Sequence, residues 1–200
     1  MMWLLTDRLP TTVNINGSPF EAETDFRLFV AFKRAAFLGQ WHEKEAYKTM
    51  YQFYKGRIPA DVNTATDAFF DFFNQGHFKP IDTDGNVNYP SGGKDAIPYA
   101  FDLDDRRIYA AFRQEYGIDL AIDSLHWFAF SALLEALFAP SFSDIVGYRV
   151  MDLSEVQKEA RKHLAKLQHG YEIESPGRSN KKVDLDTWAA GIKAKLEGGG

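Results

Sequence analysis

Apolar and polar residues alternate along Thr12-Val-Asn-Ile-Asn-Gly-Ser-Pro-Phe-Glu-Ala22, and the alternation folds back at Asn16-Gly17. That pair accommodates the positive φ angles of a tight turn, so the spacing predicts a small N-terminal β-hairpin. The apolar period then lengthens from two residues to between three and four, the signature of helices. Behind Thr24 or Asp25 as a cap, Phe26, Phe29, Val30 and Phe37 define a first helix, with Arg27, Lys33 and Arg34 on another face, until Gly39. A second helix spans about residues 43–55, with Tyr47, Met50, Tyr51 and Tyr54 as its stripe and Gly56 as its terminator. Pro59 separates it from a third, capped by Asp61, whose Val62, Ala65, Phe69, Phe72 and Phe73 face inward until Gly76.

Between residues 77 and 100 the periodicity is lost among Pro80, Pro90, Pro98, Gly85, Gly92 and Gly93, which predicts a long inserted loop. Asp102, Asp104 and Asp105 then open a fourth helix, their charge matching the positive end of its dipole, with Ile108, Phe112 and Tyr116 inward and Gly117 as its stop. Residues 124–138 are the most apolar run and predict a fifth, central helix ended by Pro140, followed by one short helical turn within 142–148. Asp152-Leu-Ser-Glu155 has capping-box spacing for a sixth helix that ends at Gly170. Its narrow stripe of Leu153, Val156, Ala160, Leu164 and Leu167 places it on the outside. The fold class is thus mainly α: about six helices around an aromatic core, a small hairpin, and a C-terminal tail. Residues 1–172 form the helical domain and 173–200 a polar linker plus a short amphipathic helix, whose apolar face is Leu185, Trp188, Ile192 and Leu196.

Composition narrows the function. An aromatic share of 15%, with 17 Phe, implies a core filled by rings. A net charge of −5 without a long basic stripe argues against nucleic-acid binding. With no Cys, thiol catalysis and thiolate metal sites are absent. The first residues lack the basic start and sustained apolar run of a signal peptide, which leaves the cytoplasm as the expected compartment.

The run at 124–138 contains His126, Ser131 and Glu135, but successive residues turn by about 100° around a helix, so the three side chains cannot converge. Ser131 and Glu135 instead share an edge with Trp127 that could meet solvent or a partner. The run is also shorter than the roughly 20 apolar residues that cross a bilayer, so no membrane is implied. Asp82-Thr-Asp-Gly-Asn86 starts like a calcium loop, yet Val87 and Gly93 occupy the places of the required Gly and Glu. No two His stand four residues apart and no glycine-rich phosphate loop is present, so neither a metal nor a cofactor is called for. The Trp188 helix is the candidate partner-binding element, because an isolated stripe must dock on this domain, a second copy or another protein.

Three segments carry a family resemblance: Leu4-Leu-Thr-Asp-Arg-Leu-Pro10 with the hairpin and Thr24-Asp-Phe-Arg27; Ile108-Tyr-Ala-Ala-Phe-Arg-Gln-Glu-Tyr-Gly-Ile-Asp-Leu120; and Leu125-His-Trp-Phe through Ile145-Val-Gly-Tyr-Arg-Val-Met-Asp-Leu-Ser154. They resemble the "gene product fifteen" family of tail-module proteins from siphophages and prophages of Gram-positive bacteria. The match covers about the first thirty residues and 101–170, is poor across 39–100 and stops before the tail. The resemblance implies a helical, non-enzymatic tail-assembly chaperone of the host bacterial cytoplasm, with the tape-measure protein as partner, other tail components and self-association also open, and no catalytic residues to carry over. A structural component retained in the virion is the alternative, followed by a small enzyme using Asp102, Asp104, Asp105 or His126.

Overall fold

The computed structural model describes residues 6–40, 42–75, 96–174, 190 and 192–194. Strands β1 (Thr12–Ile15) and β2 (Ser18–Glu21) pair antiparallel, with Val13 opposite Phe20 and Ile15 opposite Ser18. Asn16 and Gly17 take φ of 51° and 84°, the left-handed pair of a two-residue hairpin turn, and Asn14 Oδ1 accepts from Gly17 N–H.

Seven helices follow among the described residues: α1 (Phe26–Phe37), α2 (Glu43–Phe53), α3 (Val62–Gln75), α4 (Asp105–Tyr116), α5 (Trp127–Glu135), α6 (Pro140–Val150) and α7 (Lys158–Tyr171). The protein is mainly helical, with α1 packed against α2 and α5, and α4 against α6. Asp25 caps α1 by accepting the Arg27 N–H. Asp61 caps α3, accepting from Thr64 N–H and from Asn16 Nδ2 of the hairpin turn, so one carboxylate ties the hairpin to the helix.

The core is a lattice of rings. Phe29 at its centre stacks on Trp127 with centroids 5.0 Å apart and meets Phe53 edge-on at 6.1 Å. Phe26 stacks on Phe130 at 4.4 Å, and Phe130 in turn on Phe112 at 5.2 Å, which joins α1, α5 and α4. Offset and edge-to-face pairs of this kind add about 0.5–1.5 kcal/mol each beyond the area they bury.

Several elements depart from the sequence reading. The inward face of α2 is Ala46, Met50, Phe53 and Tyr54, whereas Tyr51 is about half exposed; the stripe is rotated because Phe53, not Tyr51, meets Phe29 and Phe69. The fifth helix is shorter than 124–138 and starts at Trp127, with His126 outside it as the cap. Pro140 does not end that helix. It occupies the first turn of α6, an eleven-residue helix where a single turn was expected, since the missing Pro N–H has no intrahelical partner there anyway. Residues 152–157 stay outside α7: Asp152 spends its carboxylate on the Ser154 N–H in a local turn, and α7 passes through Gly170 to Tyr171.

Candidate functional site

Two polar clasps tie the fold together; the three segments that carry the family resemblance meet at the first, and Arg149 of the third forms the second. At the first, the chain entering α1 pairs antiparallel with the chain entering α5: Phe26 N–H donates to Leu125 O at 3.0 Å and Trp127 N–H to Thr24 O at 2.7 Å. Arg27 adds two bonds to the carbonyls of Leu120 and Asp123, while Asp25 holds Arg27 from one side and the Ser124 hydroxyl from the other. His126 completes the clasp. Its Nδ1 accepts from Phe128 N–H at 3.1 Å, which places the proton on Nε2, and Nε2 donates to Pro10 O at 2.9 Å. Burial of the ring beside Phe72 and Phe128 lowers its pKa below the usual imidazole value, opposed by the Pro10 carbonyl. Both ring nitrogens therefore serve structure.

The second clasp lies at the start of α4. Asp104 is 1% exposed and Arg149 7%, and they form a two-pronged ion pair with contacts of 2.7 and 3.1 Å. Arg149 also donates to Tyr171 O at the end of α7 and to Pro98 O, while Asp104 accepts from Ala100 N–H and from Arg107. One guanidinium thus joins α6, α7, α4 and the chain at 98–100. The planar fork of arginine suits such a junction, since it offers five donors in fixed directions. Asp104 stands at the start of α4, where the dipole favours its charge, but its hydrogen bonds go elsewhere. Its side chain makes no capping bond, and its two oxygens are taken up by Arg149, Arg107 and the Ala100 N–H.

Between α1, α4, α5 and residues 120–121 a groove of about 410 Å³ opens, walled by Phe26, Val30, Phe101, Ile108, Tyr109, Leu120, Ala121 and Phe130 together with Asp105 and Arg106. Phe101 is held there by Lys33, whose Nζ lies 5.5 Å from the centroids of both Tyr99 and Phe101. Burial among these rings pushes the Lys33 amine down to about 8, partly offset by the charge of Glu135. Large apolar side chains are exposed beside the groove and beyond it: Tyr109 in its wall, Leu103, Ile122 at 79% and Phe138 at 83%. The hydrophobic period does not announce them, because Ile122 and Phe138 stand in connections rather than on a helix stripe.

The edge of Trp127, Ser131 and Glu135 is not a surface strip. Trp127 and Ser131 are buried, and the indole N–H donates to Phe73 O at 2.9 Å; only Glu135 is exposed. Ser131 is thus a polar position that does not mark solvent, whereas Glu135 is one that does. Of the enzyme candidates, Asp102 pairs with Arg34, Asp104 with Arg149, and Asp105 accepts from Arg106 N–H. Of the amphipathic tail, Ile192 is fully buried in the aromatic core cluster, while Leu185, Trp188 and Leu196 lie outside the described residues, as does most of the loop predicted at 77–100. Among the described residues no single helix is long and apolar enough to cross a membrane.

No curated protein and no solved structure matches the chain. A family model described as Bacteriophage Gp15 protein matches residues 5–173. It runs through 39–100, where the sequence motifs are weakest, and ends before the polar linker. Both clasps and the groove lie within the matched span, and the chain belongs to the bacteriophage Gp15 family.

Proposed function

We propose that the protein is a tail-assembly chaperone that binds the phage tape-measure protein before the tail tube polymerises. The observation that carries this reading is the family match over residues 5–173, joined to a surface that offers an apolar groove and exposed Ile122 and Phe138. A long tape-measure helix exposes apolar stripes, and covering them requires shape and apolar area rather than a reacting group. The polar machinery fits that division of labour: Asp104, Arg149 and His126 are engaged with partners inside the fold. The C-terminal segment is the second element proposed to contact the partner, through Leu185, Trp188 and Leu196, since Ile192 of the same predicted stripe is buried in this chain's own core. Trp188→Ala should weaken binding while leaving the melting of residues 1–170 nearly unchanged.

Co-expression with the tape-measure protein of the same phage tests the reading. The expected result is a soluble complex and a protein absent from finished particles. Equal aggregation of the tape-measure protein with and without this chain would refute it. Stoichiometric recovery from purified virions would assign the protein instead to the tail structure.

A further inference from the structure

We infer that the C-terminal segment is a self-masking latch: docked through Ile192 on this chain's own core it keeps its apolar stripe covered, and that stripe reaches a partner only after the segment is released. This deepens the proposed function and rests on it for the identity of what releases the latch, but not for the docking itself.

The docking follows from burial. Residues 190 and 192–194 are helical, and among them Ile192 is 0% exposed while Ala190, Lys193 and Ala194 are exposed, so one side of the segment is pressed against the protein. The surface it meets is distant in sequence. Every other buried member of the aromatic cluster that holds Ile192 lies between Ile15 and Phe142, within the family span that ends at residue 173. The chain thus passes α7, which buries no residue fully, and returns to the core from beyond the family span.

The masking follows from helical geometry. Leu185, Trp188, Ile192 and Leu196 form the apolar stripe of the predicted tail helix. At about 100° per residue the other three lie within about 40° of the direction of Ile192, so a helix that turns Ile192 inward turns them inward with it. A stripe facing its own core is closed to a partner. Docking in cis and contact in trans therefore exclude one another, and the core and the partner compete for the same face.

The linker sets the terms of that competition. Ser175-Pro-Gly-Arg-Ser-Asn-Lys-Lys182 is polar and tethers the stripe to the domain, which holds its effective concentration at the core on the order of millimolar. A tethered helix of this kind rejects brief apolar encounters and yields to a partner with a longer complementary face, such as an extended amphipathic helix.

The test uses the full chain and a fluorescent peptide of residues 183–197. In Ile192→Asp the latch is released and its seat left open, so the peptide is expected to bind this variant about tenfold more tightly than the native chain, whose seat is filled. Equal binding to both, or binding to neither, would overturn the inference. So would a fall in the thermal midpoint of Ile192→Asp as large as that of Phe53→Ala, which removes a fully buried ring, because Ile192 would then be a core residue rather than a latch. A spin label on Ala194→Cys, the single thiol in a chain that otherwise has no Cys, should broaden amide signals within residues 15–142. No broadening there would overturn the docking even if Ile192→Asp fails to fold. Fragments tiling the tape-measure protein separate the two claims. A fragment that binds and leaves the broadening in place keeps the chaperone reading and overturns the latch. Peptide and label results as expected, with no fragment binding, keep the latch and remove that partner.

Discussion

Helices α5 and α7 are held to the same molecule by opposite means. Almost every turn of α5 is buried: Trp127, Phe128, Phe130, Ser131 and Leu134 are enclosed, and rings from α1, α3 and α4 stack upon them. In α7 no residue is fully buried, four Lys or Arg stand against one Glu, and Leu164, Leu167 and Tyr171 are only half covered. What fixes α7 is polar and lies at its ends. Arg149 grips the Tyr171 carbonyl, Gln168 donates to the Met151 carbonyl, and Arg161 donates to those of Ser154 and Val156. The contrast teaches that apolar area sets whether this fold forms, while a few directional groups set where its outer layer sits. A buried ion pair is a poor source of net stability, but it is unforgiving once one partner is removed.

That comparison can be broken from either side. The largest expected effect is Trp127→Ala, which opens a cavity among Phe29, Phe73 and Phe130 and strips the Phe73 carbonyl of its donor. Denaturant unfolding should show a loss of about 3–5 kcal/mol, spread over the whole transition. Arg149→Ala comes next, at about 3 kcal/mol, because Asp104 would stay enclosed without its two-pronged partner. Hydrogen exchange should then rise selectively at 98–104 and in α7 while α1 and α5 stay protected. Pairing it with Asp104→Leu should restore much of the loss; no restoration would mean that the pair contributes through packing rather than through charge.

A smaller effect concerns His126 and pH. Its folded-state pKa is depressed, so the unfolded chain takes up a proton first and stability falls as pH drops below about 6.5. Protonation also turns Nδ1 from acceptor to donor against the Phe128 N–H, at the positive end of α5. His126→Asn, which keeps an accepting cap, should flatten this part of the pH profile of the thermal midpoint. A profile unchanged by the substitution would place the acid sensitivity elsewhere. The smallest effect is expected on the outer face of α7, where Lys162→Ala should change stability by no more than about 0.5 kcal/mol.

How far the fold is legible in the sequence depends on the range of the interaction. The hairpin rests on Asn16 and Gly17 alone, and α1 and α3 on local caps and regular Phe spacing, so all three are readable from short windows. The start of α5 is not, because a continuous apolar run has no phase to read and the cap at His126 is a residue type seldom used there. The second clasp is invisible locally: Asp104 and Arg149 are 45 positions apart, and each has a plausible role on its own helix, as dipole complement and as last-turn cation. The groove is equally non-local, since its walls come from α1, α4, α5 and the turn after α4. Tyr51 was misplaced for a simpler reason, as one aromatic among several on adjacent helical positions, with only tertiary packing to choose between it and Phe53.

The central claim is that this surface receives the tape-measure protein, and a photo-crosslinker placed at Ile122, which is 79% exposed beside the groove, tests it most directly in cells assembling tails. The account predicts one dominant crosslinked product containing the tape-measure protein, formed before tails are complete and lost in the Ala121→Trp variant. Crosslinks to tail-tube protein alone, or a tape-measure product undiminished by that variant, would contradict it.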